Sequence, residues 1–105
     1  MILTELAQKL KSLGYPVTYS HFKSVQVPPF ICYLVVDGDT FTADDTVVSE
    51  STYVDIELYS ATKDLKAEGK IKEMLKENEL PWDYDELFIK DEGVFKCTFS
   101  ITLTN

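Results

Sequence analysis

The residues able to do chemistry are few and scattered. Four carboxylates, Asp37, Asp39, Asp44 and Asp45, fall close together, a grouping that suits a hard divalent cation held by oxygen ligands. The segment departs from an EF-hand loop, however. Counted from Asp37, glycine stands at the second place (Gly38) instead of the sixth, and the twelfth place is Val48 instead of glutamate. A solvated acidic loop is the favoured expectation, with a weak, opportunistic Mg²⁺ or Ca²⁺ site in 37–45 as the alternative. A second cluster, Asp83, Asp85 and Glu86, alternates with Trp82, Tyr84 and Leu87. It can be read as paired carboxylates for acid/base hydrolysis or as a charged strand edge that discourages sheet-to-sheet association, and the edge is preferred. His21 is the only histidine, and no serine or cysteine motif stands near it to give it a catalytic task. No P-loop, GxGxxG, CxxC, HExxH or GxSxG occurs. The residues therefore point to a protein that is not an enzyme and uses no catalytic residue, cofactor or metal.

Composition narrows the class further. The chain has 105 residues, of which 45% are hydrophobic, enough for a single domain over 1–105 with one core. Its 18 acids face 10 basic residues, all lysine, for a net charge of -8. Such a charge repels phosphate backbones, and the missing arginine removes the usual phosphate and guanine reader, so no nucleic-acid partner is expected. Cys32 and Cys97 lie in apolar strand patterns, where free cysteine packs as a small hydrophobe. The opening MILTELAQKLKSLG lacks the basic region and apolar run of a signal peptide, and no window reaches the roughly 18 apolar residues of a membrane span. A reducing cytoplasm and no membrane partner are the expectation.

The elements follow from periodicity. Leu3, Leu6, Leu10 and Leu13 recur at helical spacing and Gly14 and Pro16 end the run. Val17–Phe22 predicts a strand and Ser24–Pro29 an irregular loop. The run FICYLVV, Phe30–Val36, predicts a central strand covered on both faces. Asp37–Ser51 is polar, acidic and turn-rich, which predicts a long mobile loop or an extended hairpin arm. Tyr53–Tyr59 alternates, with Val54, Ile56 and Leu58 toward a core. A second helix is expected from about Lys63 to Glu79, capped by Ser60 or Thr62, with Ala67, Ile71, Met74, Leu75 and Asn78 on the packed side and Leu65 flanking them. Trp82–Lys90 and Val94–Leu103 predict a closing antiparallel hairpin, with Phe95, Cys97, Phe99, Ile101 and Leu103 on one face. The order α-β-β-β-α-β-β predicts an α+β fold: a mostly antiparallel sheet of about five strands with two helices on one face. Leu6, Leu10, Ile31, Leu34, Ile56, Leu58, Ile71, Leu75, Phe99 and Ile101 are the expected core.

Aromatic residues are in surplus: six Tyr, six Phe and one Trp. Tyr53 and Tyr59 fall on the acidic side of their strand, and Phe41 stands alone in the polar segment. Tyr is enriched at protein interfaces. Two explanations stand side by side: an interface, or a second layer such as the first helix covering the tyrosines. Asp39, Phe41, Asp44, Asp45, Tyr53 and Tyr59 are the candidate contacts with a partner.

Three passages carry a family resemblance: YSHFKSVQVPPFICYLVVDGDTFTADDTVV, YVDIELYSATKDLKAEGKIKEMLKENEL and FKCTFSITL. Across nearly the whole chain the texture and element order resemble tail terminator (tail completion) proteins from the head–tail module of long-tailed phages and prophages of Gram-positive bacteria. The resemblance implies a structural protein without enzyme activity or cofactor. It implies self-association into a ring, six subunits being the expected number, at the head-proximal end of the tail tube. The implied partners are the tail tube protein and a head completion protein. The implied location is the host cytoplasm during assembly and then the virion. No functional residue is carried over from the family. Two other readings stay open: a head-completion or head–tail joining protein, and an acidic monomeric module or inhibitor that meets a basic partner.

Overall fold

The computed structural model describes residues 1–43 and 46–104. The elements run α1 (Leu3–Lys11), β1 (Val17–Tyr19), β2 (Phe30–Ala43), β3 (Thr46–Ser60), α2 (Leu65–Glu77), β4 (Asp83–Ile89) and β5 (Val94–Thr104). They build an α+β fold whose five-stranded sheet has the order β1-β2-β3-β5-β4. All neighbouring pairs are antiparallel except β1 and β2, which run parallel. The parallel pair is short because Ser20 takes a left-handed backbone, φ +65°, immediately after β1. The Tyr19 hydroxyl then accepts a hydrogen bond from the Val35 N–H at 3.1 Å, where a longer β1 would have continued the ladder. The strand expected over Val17–Phe22 thus ends at Tyr19.

Both helices pack on one face. Leu6 and Leu10 of α1 and Ala67, Ile71, Met74 and Leu75 of α2 share a buried cluster with Ile31, Val54, Ile56, Leu58, Cys97, Phe99, Ile101 and Leu103. The period-two patterns of β3 and β5 put these side chains on a single side, as the sequence predicts. Leu34 is the exception among the expected core residues: it is half-buried, on the face away from the helices. The apolar run of β2 is covered on both faces only at its start. Ile31 and Cys32 are buried, whereas Val35 and Val36 are exposed. Leu65 does not flank the core; it is 71% exposed, because α2 begins there with Asp64 as N-cap. The Asp64 carboxylate accepts from the Ala67 N–H at 3.0 Å, which shifts the cap from the expected Ser60 or Thr62 and starts the helix two residues late.

The described residues of the segment 37–51 form the two strands of a hairpin arm. Beyond the body of the sheet, β2 and β3 stay paired through Thr40↔Glu50, Phe41↔Ser49, Thr42↔Val47 and Ala43↔Thr46. The described part of β5 reaches Thr104, opposite Ser51, so among the described residues this part of the ladder has two strands. The molecule measures 51 × 27 × 22 Å. Its radius of gyration, 14.9 Å, exceeds the about 13 Å of a compact chain of this length.

Candidate interaction surface

The face of the sheet away from the helices, together with the arm, carries the residues that sequence singled out. A bulge at Val36, between the pairs Val35↔Val54 and Asp37↔Tyr53, shifts the alternation of β2 by one residue. Asp37 and Asp39 therefore stand on the same face as Tyr53. The Tyr53 hydroxyl donates to Asp39 Oδ2 at 2.7 Å, and the hydrogen bond to that carboxylate raises the phenol's pKa. Asp37 Oδ1 accepts from the Gly38 N–H at 2.8 Å. Gly38 suits a close approach: a Cβ there would lie 3.2 Å from the carbonyl oxygen of Ser51, so the paired strand would have to give by a few tenths of an ångström. Phe41 pairs with Ser49 in the ladder. Asp44 and Asp45 lie outside the described residues, and with them half of the candidate cation site at 37–45.

Tyr59 is held within the chain. Its ring stacks on Phe30 at 4.9 Å, and Phe22 meets Phe30 edge-on at 5.4 Å. The Tyr59 hydroxyl donates to Glu57 Oε1 at 3.1 Å; burial, followed by the Glu57 charge, pushes its pKa up. Neither helix covers the two tyrosines, since both helices lie on the opposite face. The loop after β1 approaches Tyr59 instead. Together they border a groove of about 590 Å³ lined by Phe22, Val25, Pro28, Phe30, Cys32 and Tyr59, among others, with His21 at its rim. Other acids of this face also have partners within the chain. Ser100 donates to Asp55 at 2.7 Å, and Lys96 stands 3.8 Å from Glu57.

The second acidic cluster is divided by strand geometry. In β4, Asp83 and Asp85 pair opposite Ser100 and Thr98, on the open face, while Glu86 pairs opposite Cys97 on the helix face. The three carboxylates thus point to two sides of an edge strand, Asp83 and Asp85 to one and Glu86 to the other. Glu86 joins a group that the sequence reading missed. Glu68 of α2 is only 2% exposed. Its Oε1 accepts from the Tyr84 hydroxyl at 2.6 Å, and its Oε2 has the Lys63 ammonium at 2.9 Å. The same ammonium binds Glu86 Oε1 and lies 3.0 Å from the Tyr84 hydroxyl. Hydrogen bonds from Lys63 hold Glu86 below the usual carboxylate range, and the bond to Glu86 raises Lys63 in turn.

One oxygen each from Glu68 and Glu86 and the Cys97 sulfur lie within 4.8 Å of one another, a spacing that a metal ion could bridge. The donor set fits poorly. The Lys63 ammonium already compensates both carboxylates, and burial raises the Cys97 thiol, so the soft ligand is protonated at neutral pH. The group acts as a polar tie between α2 and the edge strand. The signal that would have found it is Glu68 itself, a carboxylate on the helical arc of Ala67, Ile71 and Leu75.

The two thiols are on opposite faces. Cys32 pairs opposite Glu57 and Cys97 opposite Leu58, and those neighbours in β3 point to different sides. Both cysteines are free and buried. Burial, and next the Glu57 charge, pushes the Cys32 thiol up to about 11. Among the described residues, no helix is long and apolar enough to cross a membrane. No protein-family model and no curated protein matches the chain.

Proposed function

We propose that this chain is a structural assembly protein of a long-tailed phage or prophage: a tail terminator subunit that joins identical copies in a ring at the head-proximal end of the tail tube. The observation that carries this reading is the arm. A two-stranded hairpin alone in water is marginal at best. Here, among the described residues, one extends past the paired part of β5, with five acids and no lysine in 37–51. Such a segment contributes little to the body of its own subunit and is placed to gain partners on assembly. The rigid five-stranded body with its single helical layer provides the platform from which the arm extends. Identical subunits closing a ring use two different patches of each copy. With -8 per subunit, free copies repel at low salt, so association rises with ionic strength or Mg²⁺.

Deletion of the gene from its parent phage tests the reading. The expected particles are filled heads unjoined to tails, together with tails of abnormal length. Unjoined heads beside tails of normal length would assign the chain to head completion. Normal virions would overturn both roles.

A further inference from the structure

The net charge is distributed unevenly over the molecule. The helical layer with its flanking turns, residues 1–13 and 63–79, holds seven lysines against six acids, whereas the rest of the chain holds three lysines against twelve acids. An acidic arm is therefore repelled by almost every part of a second copy except the helical layer.

Within that layer, one region combines free cations with exposed apolar surface. It lies where α2 meets the edge strand β4. Lys72 holds its ammonium over the Tyr84 ring, 5.4 Å from the centroid. Lys76, one turn further along the same helix, makes no ion pair among the described residues. Tyr84 is 41% exposed and Phe88, two places along the same face of β4, is 49% exposed. Leu65, the first residue of α2, is the most exposed leucine of the chain among the described residues. The described residues of the arm offer the complement in the exposed carboxylates of Asp37, Asp39 and Glu50. Edge-to-edge pairing of the arm with β4 of another copy is disfavoured, because Asp83 and Asp85 line that strand.

We infer that the acidic arm of one copy docks on the α2–β4 surface of the next, with Asp37, Asp39 and Glu50 against Lys72 and Lys76. The contact is head-to-tail, because arm and receiving surface are different patches of one chain. The inference rests on the ring reading above and specifies which two patches meet.

The test joins carboxylates to amines. A mixture of isotope-labelled and unlabelled full-length chain is assembled at moderate salt with Mg²⁺ and treated with a zero-length carbodiimide; cross-linked peptides are identified by mass. Labelled-to-unlabelled links between 37–50 and Lys72 or Lys76 are expected. Lys72→Glu/Lys76→Glu should weaken association by about tenfold or more. The same pair combined with Asp37→Lys/Asp39→Lys should recover it. Assemblies whose links lie elsewhere, or that ignore the lysine reversals, overturn the arm contact and leave the ring standing. A chain that stays at 12.0 kDa at every salt concentration and on isolated tail tubes overturns both.

Discussion

Between Phe30 and Leu34, strand β2 lies in a sheet with neighbours on both sides and a helical layer against one face; from Thr40 to Ala43 the same strand has β3 alone among the described residues. β3 changes in the same way. Val54, Ile56 and Leu58 are fully buried between β2 and β5, whereas Glu50 is exposed, beyond the end of β5. Backbone pairing is continuous through both regions, so hydrogen bonding does not distinguish them. Burial does. Folding stability comes from the body, where apolar area leaves water at about 25 cal/mol per Å². The arm contributes shape and charge, and its worth lies in what it meets.

The largest effect expected from breaking the body is at Phe99, which is fully buried beneath both helices. Phe99→Ala should cost about 3–5 kcal/mol in chemical denaturation. A cost near that of a surface change would mean that β5 is not central. Next comes the polar tie. Lys63→Met leaves the buried Glu68 without its cation, and because Lys63 is itself 43% exposed the cost is discounted to about 1–3 kcal/mol. Lys63→Met/Glu68→Gln should recover most of it, and a double variant no better than the single one would contradict the pairing.

The tie also sets a pH dependence. Glu86 is held below its ordinary range, so its contribution to folding is present at neutral pH and fades as pH falls below about 4. Lys63 is raised, so its contribution is complete below the ordinary lysine value and lost only above about pH 10.4. Hydrogen exchange of the β4 amides should therefore show no added opening between pH 6 and 8 after correction for intrinsic rates. A transition inside that window would contradict the assignment.

The smallest effect belongs to the arm. Tyr53→Phe removes one exposed hydrogen bond to Asp39 and should leave the denaturation midpoint within the scatter of the parent's. In the free chain the amides of Thr40, Ser49 and Glu50 should exchange well ahead of those of Val54–Leu58. Equal protection would make the arm part of the body and remove the contrast.

How much of this could be read from sequence follows the same division. Alternation in Tyr53–Tyr59 and Val94–Leu103 gives strand, face and core together, because burial on one side writes period two into the residues. In Asp37–Ser51 the pattern left loop and hairpin both open, since no burial selects the residue types there. The parallel placement of β1 was not legible, because three residues carry no period. The half-burial of Leu34 was missed because an apolar run does not show where its cover ends. The Lys63–Glu68–Glu86 group brings together residues from three segments, and only the fold shows them to be neighbours.

The most direct test of the arm's role is to remove it and leave the body intact. Replacing Thr40–Glu50 by Asn-Gly joins the paired residues Asp39 and Ser51 through a two-residue hairpin turn. Sedimentation velocity with Mg²⁺, or on tail-tube ends, is then compared for the full and shortened chains. The account predicts a discrete ring from the full chain, with six copies expected, and a shortened chain that melts like the parent but stays monomeric. A shortened chain that assembles as the full chain does would contradict it.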